Sequence, residues 1–151
     1  MEEGYRASLT EEGFRHPVTA GLPGSEASPA AWGRWFRLIE ATATSGRTLM
    51  EGPGNRPLIV LDTIGNGRVA QLLSDHAWLW TRGFDGGGPQ AELLRRLAHW
   101  LMKEPELEEE RLHADASDNS LNIPRHTMAE TVTPVTITLP SGDQKELALT
   151  E

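Results

Sequence analysis

The chain has 151 residues, a formal net charge of −8 and no cysteine. That length fits one domain with a short appended module. Folding at this size buries ~70% of the unfolded chain's surface, so a core forms without staples. The missing cysteines exclude disulfides, zinc–thiolate sites and thiol nucleophiles, and the negative charge argues against nucleic acid as a partner, since phosphates need clustered Lys and Arg.

No apolar run approaches the ~20 residues that span a bilayer. Met1-Glu-Glu-Gly4 is polar, with no signal peptide ahead of the first strand. The chain therefore reads as soluble, with no direct membrane insertion. Thr10-Glu-Glu-Gly13 predicts a single helical turn, with Thr10 as N-cap and two acids at its positive end. His16 to Gly24 is rich in Pro and Gly and reads as a loop, and Ser25 to Ala31 reads as small, polar and mobile. Trp32, Trp35 and Phe36 have helical spacing interrupted by Gly33, and Leu38 to Thr44 alternates loosely enough to predict a strand. Thr48 to Glu51 predicts a further short strand before the Gly52–Pro57 turn cluster.

The stretch from Pro57 to Lys103 organises the rest. Pro57 to Asp62 is an unbroken apolar run, the mark of a strand buried on both faces. Gly65-Asn66-Gly67 predicts a hairpin, with Asn-Gly at the positive φ angles of a type I′ turn, and Arg68 to Ser74 is the returning strand. A helix is expected from Pro89, at its first position, to about Lys103. Leu93, Leu94, Leu97, Ala98, Trp100 and Leu101 share its apolar face. Glu92, Arg95, Arg96, His99 and Lys103 lie opposite, with Glu92 and Arg96 spaced as an ion pair. Pro105 ends the helix. Glu104 to Asp118 is acidic and reads as a solvated connector. Beyond it Leu121–Ile123, Val132–Leu139 and Lys145–Thr150 alternate with period two around a Pro140–Asp143 turn, which predicts a β-hairpin with one strand before it.

Candidate chemistry is sparse. Ser74-Asp75-His76 holds the residue types of a hydrolytic triad, but adjacent side chains cannot bond in series. Asp75 and His76 do follow a buried strand, where open α/β sheets place ligand-binding groups; a turn or capping role is the competing reading. Gly86, Gly87 and Gly88 lead into a helix N-terminus that could hold an anion. They lack the Lys-Ser/Thr of a P-loop, and a plain helix lead-in is the alternative. Five tryptophans against one tyrosine, four of them in the pairs Trp32/Trp35 and Trp78/Trp80, read as core filler, with Trp78 beside the strand-end residues as a possible ligand platform. His16, His99, His113 and His126 have no metal-ligand spacing and read as solvated or locally bonded. No catalytic residue, metal ligand or cofactor is assigned.

Several segments together resemble a known family: His16-Pro-Val-Thr19, Trp32-Gly-Arg-Trp-Phe-Arg37, Gly65-x-Gly-Arg-Val69, Leu73-Ser-Asp-His-x-Trp-Leu-Trp80, and Gly87-Gly-Pro89 through His99-Trp-Leu-Met-Lys-Glu-Pro105. The resemblance is to the C-terminal part of bacterial membrane proteins that carry a class I glutamine amidotransferase-like domain. It implies a partial flavodoxin-like α/β sheet with a β-hairpin and one main amphipathic helix, followed by a short C-terminal β module. The N-terminal half, including a nucleophilic cysteine, would precede Met1, and the parent protein would be anchored in the bacterial inner membrane. His76 would occupy the position of the strand-end histidine. The Glu expected two residues later is replaced by Trp78, so a Cys-His-Glu set cannot be assembled here.

The expected layout is therefore residues 1–104 as part of an amidotransferase-like domain, 105–119 as connector and 120–151 as a hairpin opening a further β-rich module. The expected function is a non-catalytic interaction or structural domain that takes protein partners or self-associates. The alternative is part of an amidotransferase-like or hydrolytic enzyme whose nucleophile lies elsewhere.

Overall fold

The computed structural model describes residues 4–27, 29–117, 120–129, 131 and 133–149. Met1, Ser28, Asp118, Val132 and Thr150, which enter the sequence expectations above, lie outside them. The chain divides into two units, Met1–Glu109 and Glu110–Glu151.

The first unit is mixed α/β, built on a four-stranded antiparallel sheet of order β1-β2-β3-β4. Strand β1 (Ser8–Leu9) runs into helix α1 (Glu11–Arg15), whose N-cap Thr10 accepts a hydrogen bond from the Gly13 amide. Strand β2 (Arg47–Glu51) follows a long irregular segment. Strands β3 (Pro57–Ile64) and β4 (Gly67–Leu72) form the central hairpin, paired from Ile59–Leu72 to Ile64–Gly67. Leu58, Ile59, Val60 and Leu61 are all buried, so this strand is covered on both faces. The turn differs from the expected one. Its two central residues are Gly65 and Asn66, and of these only Gly65 has positive φ (59°). That is the type II′ pattern, in which glycine comes first.

Helix α2 (Trp78–Thr81) is a single turn, and α3 (Gln90–Leu101) is the main helix. Pro89 stands at the N-cap of α3 rather than inside its first turn. The buried stripe of α3 is narrower than its apolar face: Leu93, Leu97 and Trp100 enter the core, while Leu94 and Leu101 stay 43% and 41% exposed. Glu92 and Arg96 pair at 2.7 Å. Arg96 also reaches the Ala20 carbonyl (2.6 Å), so it anchors the 16–24 segment instead of standing in solvent.

That segment is a loop by conformation but not by burial. His16, Val18, Thr19 and Leu22 are buried, as are Ser25 and Ala30 farther on. No strand forms over 38–44. Trp32 to Arg37 is extended, with Trp35 bridged to Tyr5. Backbone bonds to distant segments hold it out of a helix, Trp35 with Tyr5 and Gly33 with Gly87, and a Cβ on Gly33 would sit 2.1 Å from the Phe84 carbonyl.

Among the described residues, the second unit forms three two-stranded ribbons. β5 (Arg111–Leu112) pairs with β8 (Arg125–His126), β6 (Asp115–Ser117) with β7 (Ser120–Asn122), and β9 (Val135–Thr138) with β10 (Gln144–Leu147). The last pair is the expected hairpin. None of the unit's described hydrophobic residues is buried.

Candidate functional site

The end of β4 delivers the strand-end residues to the extended segment 32–37. The buried Ser74 hydroxyl donates to the Arg37 carbonyl (2.6 Å) and accepts from the His76 backbone amide (3.1 Å). Asp75 holds Arg37 in an exposed ion pair at 2.7 Å. The His76 ring accepts the Phe36 backbone amide at Nδ1 (3.1 Å), and its Nε2 lies 3.8 Å from Asp75. With Nδ1 accepting, the neutral ring carries its proton on Nε2. The sequence places Asp75 and His76 at a strand end correctly. The structure binds both to a segment some forty positions earlier, as turn and strand-end partners.

The glycines form the other wall. Gly33 donates to the Gly87 carbonyl (2.6 Å), and the Trp80 indole donates to the Gly33 carbonyl (2.7 Å). Trp80 is packed between Trp32 and Trp35, ring centroids 5.3 and 4.7 Å away. A Cβ on Gly88 would come within 2.4 Å of the Trp80 ring. Gly87 has φ 71°, and a Cβ there would stand 2.9 Å from the Trp80 carbonyl oxygen. Gly88 therefore lets backbone lie against the indole, while Gly87 serves a positive-φ turn beside the Trp80 carbonyl. Gly86 is exposed, and the Gly87 amide is already bonded to the Phe84 carbonyl.

One carboxylate and two guanidiniums meet beside this loop. Asp85 receives Arg34 (2.8 Å) and Arg6 (3.1 Å), and the Arg34 hydrogen bond holds its carboxyl below the usual range. Trp78 is 52% exposed and takes no part in the ring cluster.

Sequence reasoning missed a second constellation because its members lie far apart. His16 is fully buried, edge-on to Trp100, and its Nε2 bonds Glu109 at 3.2 Å. The same carboxylate pairs with Arg47 (3.1 Å). Arg68 lies 4.8 Å over the Trp100 ring, donates to the Trp100 carbonyl and pairs with Glu108 at 2.5 Å. The His16 hydrogen bond, with the Arg47 and Arg68 charges, lowers the Glu109 carboxyl despite partial burial. Glu108 and Glu109 are thus tied down at the end of the first unit, where their acidic surroundings read as solvent-facing. No local spacing signals a pair 93 positions apart.

Chemically, neither cluster holds a nucleophile beside a free base. Ser74 is spent on a carbonyl, and no group of three His, Cys, Asp or Glu among the described residues could hold a metal. No family model, curated protein or solved structure matches this chain.

Proposed function

We propose that this chain is a non-catalytic interaction and structural domain of a larger, membrane-anchored bacterial protein of the amidotransferase-like kind. In this reading the antiparallel sheet is the margin of a flavodoxin-like sheet whose parallel strands lie elsewhere in the protein. The ribbons of 110–151 open a further β-rich module. The supporting observation is the His76 ring. A general base must present an unprotonated nitrogen to its nucleophile. The His76 nitrogen without a proton instead accepts the Phe36 amide. Among the described residues no helix is long and apolar enough to cross a membrane, so an anchor would lie elsewhere in the parent.

Glutamine hydrolysis tests the reading. The chain incubated with glutamine is expected to release no ammonia, and His76→Ala is expected to lower the melting temperature without changing that result. Ammonia release by the wild-type chain that vanishes in His76→Ala would replace this function with the enzymatic alternative.

A further inference from the structure

Strand β4 is the outer strand of the sheet, and its free edge can be located residue by residue. Leu73 donates to the Leu58 carbonyl directly opposite, which fixes the alternation of the ladder. Val69 and Gln71 then point their amides and carbonyls at β3, while Arg68, Ala70 and Leu72 point theirs outward. No described residue bonds those outward groups. The edge carries none of the usual protections: it has no proline, and its one charged side chain, Arg68, is folded back onto Trp100 and Glu108.

Helix α3 runs beside this edge with a second apolar stripe that the core does not use. Ala91, Leu94, Ala98 and Leu101 are all exposed and recur at spacings of three and four, the pattern of a helix–helix seam. Leu94, Ala98 and Leu101 share an apolar groove of about 240 Å³ with Ala70 and Leu72 of β4.

We propose that two copies of this chain pair about a two-fold axis through Ala70, joining their β4 edges into one sheet with the α3 helices antiparallel above it. The proposal rests on reading the chain as an interaction domain and names its partner. Self-complementarity argues for a second copy. A two-fold interface requires that where residue i meets residue j, j also meets i. With Ala70 opposite Ala70, the outward groups of Arg68 face those of Leu72 in the second copy, for up to about six main-chain hydrogen bonds. On the helices, the antiparallel register that sets Leu94 against Ala98 also sets Leu101 against Ala91. Every large side chain then meets a small one. Ala70 lines the same groove as Leu94 and Ala98, the centre of that stripe, so one axis can serve both layers.

Charge agrees with this arrangement. Arg68 meets Leu72 rather than its own copy, and its guanidinium is already neutralised by Glu108. The buried area, two edge strands with two copies of the α3 stripe, is on the order of the ~1,000 Å² that a specific interface needs.

Sedimentation and light scattering of the full chain test this. The wild-type chain should show a concentration-dependent dimer mass, and Leu94→Glu should return it to monomer with an unchanged far-UV spectrum. The chain has no cysteine of its own, so introduced thiols report geometry independently. A mixture of Leu94→Cys and Ala98→Cys chains should form a mixed disulfide far more readily than either variant alone. A wild-type monomer at all concentrations, a dimer untouched by Leu94→Glu, or self-linking of Leu94→Cys equal to the mixed product would each overturn the proposal. None of these results bears on glutamine hydrolysis, so the two readings fail separately.

Discussion

Tyr5 is the only tyrosine of the chain, which makes its ionisation directly observable. Burial raises its phenol to about 12, opposed by hydrogen bonding at Ser74; both hydroxyls reach the Arg37 carbonyl. A group that holds its proton more tightly when folded stabilises the fold below its unfolded pKa, near 10, and loses that contribution as pH rises towards 12. Absorbance titration at the phenolate band should therefore show a midpoint near 12 in the folded chain, falling to about 10 in denaturant. A folded midpoint at 10 would show that Tyr5 is not packed as described. Gly88 offers a test of the Trp80 bed. Gly88→Ala should cost roughly 1–3 kcal/mol in denaturant unfolding, because the methyl overlaps the indole and neither can yield freely. A change under ~0.5 kcal/mol, the range of neutral surface substitutions, would contradict that contact.

Among the elements, the β3–β4 hairpin was the most legible. An apolar run, a glycine-flanked turn and an alternating return leave little choice of topology. The turn class was not legible, because Gly65-Asn66 and Asn66-Gly67 both suit a two-residue loop, and the pairing of Ile64 with Gly67 selects the first. Gly65→Ala should cost about 1–2 kcal/mol, the usual penalty for a side chain at positive φ, since nothing lies near enough to clash. Asn66→Ala should cost less. If the two costs are reversed in thermal or denaturant melts, the type II′ assignment fails. Helix α3 was legible in extent and in its Glu92–Arg96 pair. Its apolar face is wider than its buried stripe, since periodicity marks every apolar residue alike, whereas only Leu93, Leu97 and Trp100 of the helix are buried.

Across the molecule, the buried hydrophobic residues among those described all fall between Ala7 and Trp100, yet the first unit extends to Glu109. Two kinds of contact hold the extra residues: Leu107 packs against the core, and Glu108 and Glu109 partner Arg68, Arg47 and the buried His16. A chain ending at Glu109 should fold by itself, as judged by a cooperative circular-dichroism melt. Ending it at Glu104, where the sequence alone sets the boundary, should lower stability by roughly 1–3 kcal/mol, because buried donors lose their acceptors and Leu107 leaves the core. Equal melts would show that residues 105–109 contribute nothing to stability. Local pattern determined the hairpin, the capped turn at Thr10, the main helix and the final β9–β10 hairpin, since turn chemistry and periodicity act over a few neighbouring residues. Tertiary structure alone decided that the 16–24 loop is buried, that Trp32 to Arg37 is extended and that His76 serves the Phe36 amide. Those outcomes depend on partners tens of positions away, and linear spacing carries no record of such contacts.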